Sequence, residues 1–79
     1  MSEASEPWLL DLAGLKCPLP ALKTRKALKG MAPGARITVI CTDPLAAIDI
    51  PNLLRETGDV LESVETGDGH RRFSIRKAD

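Results

Sequence analysis

Two prolines, Pro18 and Pro20, stand two apart behind a cysteine in Leu15-Lys16-Cys17-Pro18-Leu19-Pro20. Neither a helix interior nor a central strand accepts such a pair, because each proline removes a backbone donor. A first helical turn does accept it, since the N–H groups there have no intrahelical partner to lose. Upstream, Trp8-Leu9-Leu10-Asp11-Leu12 reads as a strand and Ala13-Gly14 as the turn out of it. A helix is therefore expected to begin at Pro18, with Cys17 at or just before its cap. The unpaired N–H groups and the dipole of that helix end favour negative charge, and Lys16 adds a positive neighbour. On this reading the Cys17 thiol titrates below the ordinary value of about 8.5. With Pro20 also lacking an N–H, the turn is a poor phosphate cradle but a rigid seat for a small sulfur anion. For a Cys-Pro pair taken alone, the competing reading is a buried small hydrophobe followed by an ordinary helix start.

Further along, the first helix ends near Lys29 with Gly30 as C-cap and Pro33-Gly34 as a turn. Its wheel gathers Pro20, Ala21, Thr24, Ala27, Leu28 and Met31 on one face, and Leu19, Leu22, Lys23, Lys26 and Lys29 on the other. Ala35 to Cys41 is β-branched and reads as a central strand. Asp43 is placed as N-cap of a second helix with Pro44 in its first turn. That helix runs to about Thr57 and stops at Gly58. Pro51 falls inside it and is expected to bend or interrupt it, with Asp49 capping the resumed helix. Val60 to Thr66 and Arg72 to Lys77 read as a hairpin around Gly67-Asp68-Gly69. The last strand puts Phe73 and Ile75 on one face and Arg72, Ser74 and Arg76 on the other.

The order β-α-β-α-β-β, with right-handed crossovers progressing one way, predicts an α/β (α+β) two-layer sandwich. It has a mixed four-stranded sheet and two helices on one face. Seventy-nine residues make one domain whose core is too small for a deep enclosed pocket, so chemistry belongs at the surface. Residues 1–7 read as a loose tail and 8–79 as the domain. Two cysteines, one histidine and no secretory or transmembrane run suggest a reduced, cytoplasmic setting. The net charge is zero but segregated. Lys16, Lys23, Arg25, Lys26, Lys29 and Arg36 fall in a stretch without acids, and the acids concentrate between Asp43 and Asp68. The first basic block shares a helix with Cys17, which makes Lys16, Leu19, Leu22, Lys23 and Lys26 a candidate docking face.

The run Leu10-Asp11-Leu12 to Leu15-Lys16-Cys17-Pro18-Leu19-Pro20 resembles the Cys-Pro-x-Pro signature of the TusA/SirA-type sulfur-carrier family. Thr42-Asp43-Pro44, Asp49-Ile50-Pro51 and Phe73-Ser74-Ile75-Arg76-Lys77 are similar to that family as well, so the resemblance spans residues 8–77. It implies strand order 1-2-4-3. It also implies that Cys17 accepts sulfane sulfur as a persulfide from a cysteine desulfurase or another sulfur donor, and passes it to an acceptor protein. The downstream use in the family is often tRNA 2-thiouridine, with molybdenum-cofactor synthesis and sulfur oxidation as others. Leu19 departs from the family pattern, where an acidic residue is frequent. No cofactor and no metal are expected, and the chain reads as a monomer.

Two other functions fit parts of the sequence. A nucleic-acid-binding α/β module would use the basic helix and last strand, but zero net charge and few aromatics disfavour it. A thiol-disulfide redox protein would use Cys17 and Cys41, but the Cys-x-x-Cys spacing is missing. His70 reads as a turn residue. As a base for Cys17 it would have to reach across strand spacings of about 4.8 Å each. Cys41, ending a central strand, reads as core, and a Cys17/Cys41/His70 metal site lacks the usual short ligand spacings.

Overall fold

The computed structural model describes residues 8–78; the expected tail at residues 1–7 lies outside them. The order is β1 (Trp8–Leu12), α1 (Leu19–Lys29), β2 (Arg36–Cys41), α2 (Ala46–Thr57), β3 (Val60–Gly67) and β4 (His70–Arg76). The four strands form one mixed sheet in the order β1-β2-β4-β3. β1 lies parallel to β2, and β4 is antiparallel to both β2 and β3. Both helices pack on one face. Leu28 of α1 and Ala46, Ile50 and Leu54 of α2 share a single core with Leu12, Ile37, Val39, Cys41, Phe73 and Ile75 of the sheet. The alternation expected in the last strand is present: Phe73 and Ile75 are buried, while Arg72, Ser74 and Arg76 lie on the open face.

Local chemistry accounts for most boundaries. α1 begins at Leu19 rather than Pro18, which is its N-cap, and it closes at Gly30, where the Gly30 N–H donates to the Ala27 carbonyl and the Met31 N–H to the Leu28 carbonyl. Pro20, Thr24 and Leu28 form its buried stripe, as the wheel requires. α2 ends at Gly58, whose φ of 84° is the left-handed conformation that lets its N–H reach the Leu54 carbonyl. Of the bend or interruption expected at Pro51, the interruption does not occur, and α2 runs through the proline. Pro51 withholds one donor from Ala47, and the burial of Ile50 and Leu54 in the sheet core, with Leu53 toward α1, holds the turns on either side. β3 carries a register shift between Leu61 and Ser63. Glu62, at that bulge, takes Arg36 Nε at 3.0 Å and Arg76 Nε at 3.2 Å, and the two guanidinium groups hold its carboxyl below the usual range. At the edge of the sheet remote from Cys17, the Ala78 N–H donates to buried Asp59 Oδ1 at 2.8 Å, with Lys77 Nζ 3.8 Å from the same oxygen.

Phe73 and Ile75 are both essentially fully buried at the centre of this core. Phe73→Ala should cost about 3–5 kcal/mol and Ile75→Val about 0.5–1.5 kcal/mol. Urea unfolding followed by circular dichroism measures both. Equal costs would mean that the core is not centred on Phe73.

Candidate functional site

The parallel pairing of β1 and β2 brings Leu12 opposite Cys41, so the loops leaving the two strands run side by side. Gly14, at a φ of 84° that favours glycine, donates its N–H to Thr42 Oγ1 at 2.8 Å. The Cys17 N–H donates to Asp43 Oδ2, and the Leu45 N–H to Asp43 Oδ1 at 3.0 Å. One carboxylate therefore holds the cysteine loop against the start of α2. Asp43 was expected as the N-cap of α2. That cap is Leu45, and Asp43 sits two residues earlier because its oxygens are needed by both loops. Pro44 shares the lead-in turn, where the Ala47 N–H reaches its carbonyl at 3.2 Å. The two backbone donors lower the Asp43 titration; desolvation opposes them, and Lys16 adds a lesser lowering effect.

Cys17 is exposed, and its peptide bond to Pro18 is cis. It stands at one end of a groove of about 290 Å³ between α1 and α2, lined by Pro18, Ala21, Leu22 and Arg25 on one side and Asp49, Asn52, Leu53 and Glu56 on the other. Arg25 and Glu56 bridge the far end at 2.8 Å. Asp49, expected to cap a resumed helix, instead lies in the first turn of an unbroken α2 and faces this groove. It lines the same groove as Cys17, where its negative charge bears on the thiol.

That charge reverses the expected titration. The Cys17 thiol is pushed up rather than down, first by the neighbouring Asp49 carboxylate, then by desolvation and by the negative charge of Asp43. The helix end does not counter them. Pro18 and Pro20 have no N–H, the Leu19 N–H is taken by the Lys16 carbonyl at 2.9 Å, and the Cys17 N–H is taken by Asp43. Lys16 acts on Asp43 instead of the sulfur. Cys41 differs in kind: it is buried in the core, and burial pushes its thiol up to about 11.

The candidate docking residues divide. Leu19 and Leu22 are 43% and 55% exposed, and Leu22 forms a wall of the groove beside Cys17. Lys23 and Lys26 turn to the other side of α1, where they edge a shallow cavity with Trp8, Leu10 and Ala27. Lys16 borders a third depression with Thr42, Asp43 and Pro44. His70 lies apart from the Cys17 groove, beside Cys41 and Thr42, with Nδ1 3.1 Å from the Asp68 carbonyl. Among the described residues no cluster of three or more His, Cys, Asp or Glu side chains is arranged to hold a metal, and no helix is long and apolar enough to cross a membrane. Arg25, Asn52 and Glu56 were not singled out from the sequence. The spacing of Asp49, Asn52 and Glu56, three and then four residues apart on one helix face, was the available signal.

The family model for sulfurtransferase TusA matches residues 9–77. The chain belongs to that family. It is 41% identical over 70 residues to the sulfur carrier protein TusA of Allochromatium vinosum, which covers 87% of this chain and 91% of the relative. It is also 38% identical over 78 residues to a longer protein of Aquifex aeolicus, covering 99% of this chain but only 40% of that relative. The crystal structure of a SirA-like protein from Desulfitobacterium hafniense superposes with a TM-score of 0.78 at 22% identity. The match covers 92% of this chain and all of that one, and shows the same fold.

Two outcomes are expected from the site's geometry. Asp43→Ala should free both N–H groups and raise amide hydrogen exchange at Cys17 and Leu45 well above that in β2. Since the folded Asp43 titrates below its unfolded value, its contribution is complete above the ordinary carboxylate range. It is lost as pH falls through the depressed value, so wild type and variant should converge in thermal stability in acid. Secondly, Cys17 should alkylate faster than Cys41 at every pH from 6 to 9 on exposure alone, with its inflection above about 8.5. Site-resolved mass spectrometry reads both cysteines, and an inflection near 7 would contradict the carboxylate effect.

Proposed function

We propose that the protein is a sulfur carrier that takes sulfane sulfur as a persulfide on Cys17 and relays it to an acceptor protein. The observation that carries this reading is an exposed thiol on a loop pinned by Asp43, at the open end of a groove bounded by two helices. Such a thiol can be approached by a protruding loop of another protein, react, and be released without rearrangement of the core. Family membership and the name of the Allochromatium relative support a carrier role.

In the first step the Cys17 thiolate attacks the outer sulfur of a donor persulfide, and the donor sulfur departs as a thiolate. In the second, an acceptor attacks the outer sulfur now held on Cys17. A cysteine desulfurase is the donor class proposed, the acceptor is a second protein, and tRNA 2-thiouridine formation is one pathway that would draw on it. A reducing cytoplasm keeps the thiol available. Pro18, Leu19 and Pro20 shape the turn, Lys16, Leu19 and Leu22 form the approach to it, and Lys23 and Lys26, on the other side of α1, act on a partner through long-range attraction. Burial of Cys41 favours this reading over a Cys17–Cys41 redox pair.

Incubation with a cysteine desulfurase, its cofactor and cysteine should add the mass of one sulfur, removable by reductant, to wild type and to Cys41→Ser but not to Cys17→Ser. Loading that follows Cys41 would overturn the assignment. Leu22→Asp should slow transfer from the donor at any salt concentration. Lys23→Glu with Lys26→Glu should slow it mainly at low salt, since exposed charges are screened beyond about 10 Å at 0.1 M. Unchanged rates in both folded variants would remove α1 from donor docking.

A further inference from the structure

β1 and β3 are the two edges of the sheet. An edge strand exposes unpaired backbone groups, and folded chains blunt it with a bulge or with charges. β3 has both, in the register shift between Leu61 and Ser63 and in Glu62 and Glu65 along it. β1 has little of either. It pairs with β2 in unbroken register, and its one charged residue, Asp11, turns an oxygen back to the Ala13 N–H at 3.0 Å. Trp8 and Leu9 are 42% and 67% exposed, and Leu9 borders the open face of the sheet with Thr38, Ile40 and Arg72. Beside this edge a cavity of about 360 Å³ opens between β1 and α1, lined by Trp8, Leu10, Lys23, Lys26, Ala27 and Gly30. It shares no residue with the Cys17 groove. Its two lysines are its only charges, and the ion pairs among the described residues use Arg25, Arg36, Arg72, Arg76 and Lys77 instead.

We propose that the β1 edge and the cavity beside it form a docking site for an extended segment of a partner protein, with acidic residues at alternate positions and apolar ones between. Such a segment adds to the four-stranded sheet as a fifth strand, its backbone taking the β1 groups that do not bond β2. Its side chains then alternate between the two faces. On the α1 side, acids two residues apart are separated by about 6.7 Å, and Lys23 and Lys26, one helical turn apart, by about 5–6 Å, so each acid meets one lysine. The methylenes of the acids cover Leu10 and Ala27, and the apolar residue between them packs beside Leu9 on the open face. Charge disfavours the other occupant that an edge strand invites. A second copy pairing antiparallel through β1 would bring both α1 helices to one seam, each setting its Lys23 and Lys26 against the same residues of the other. A segment bound here leaves the Cys17 groove open on the far side of α1, so one part of a partner can hold the protein while another reaches the sulfur. The site itself stands without the carrier reading.

The probe is a fluorescent, amidated octapeptide of alternating Val and Glu, titrated with the full chain and followed by anisotropy at low and high salt. Binding should weaken as salt rises. At low salt, Lys23→Glu with Lys26→Glu should weaken it about tenfold, while Arg55→Glu, an exposed reversal on α2, binds as wild type. Lys23→Ala with Lys26→Ala replaces the double reversal should circular dichroism show that the latter does not fold. A second peptide, with proline at its two central Val positions, keeps every charge but cannot pair as a strand, and should bind about tenfold more weakly. Amide hydrogen exchange separates strand addition from a charge contact: the alternating peptide should slow exchange within Trp8–Leu12, and the proline peptide should not. No binding at up to about 1 mM, equal binding of the two peptides, unchanged exchange in β1 or unchanged affinity in the lysine variant overturns the proposal. So does a wild-type dimer in sedimentation that Leu9→Arg dissociates, because the edge then belongs to a second copy.

Discussion

The site depends on one carboxylate. Asp43 binds the backbone of the cysteine loop with one oxygen and the lead-in to α2 with the other. It can do so only because β1 and β2 are parallel neighbours in a register that ends both strands at the same level, Leu12 beside Cys41. Antiparallel pairing would send the two loops to opposite ends of the sheet. The Gly14–Thr42 bond adds a second tie between the same loops. The cysteine therefore stands on an irregular segment that is fixed from outside itself, as a loop carrying reactive groups on a rigid scaffold must be.

That tie has an electrostatic consequence. The carboxylate that fixes the loop is also a negative charge near the sulfur, and the direction in which α2 leaves the loop sets Asp49 beside it. The helix end, which taken alone favours a thiolate, has its first donors removed by two prolines or taken by Lys16 and Asp43. Two anions at short range prevail over a helix end with few free donors.

A core of this size encloses no deep cavity, so the reactive group lies where two helices meet at the surface. The groove is apolar near Pro18, Ala21, Leu22 and Leu53 and polar along Asp49, Asn52 and Glu56. An open surface of this kind fits a protein loop better than a small molecule needing enclosure. The lysines of α1 that seemed one face with Leu22 on a helical wheel are divided in space. Lys23 and Lys26 lie over the β1 edge with Trp8, where they bear on long-range attraction rather than on contact at the sulfur.

The strand-turn-helix around Cys17, the alternation of β4, the buried stripe of α1 and the exposure of Leu19 and Leu22 were all legible in the sequence, because each follows from local periodicity or from the fixed φ of proline. The burial of Cys41 was legible for the same reason, as the end of a β-branched run. Local rules also misled at three places. Pro51 suggested a bend or an interruption; the helix is not interrupted, because one missing donor is outweighed by the burial of Ile50, Leu53 and Leu54 around it. Asp43 suggested a helix cap, but its oxygens serve a loop 26 residues distant in the chain. Cys17 suggested a thiolate, because the sequence shows the helix start and the adjacent lysine but not the carboxylates that the fold delivers. The titration of a surface thiol is set by charges within a few ångströms, and those come from α2 and the loop before it. Only the packing of α2 against α1, on a sheet that pairs β1 with β2, decided which they are.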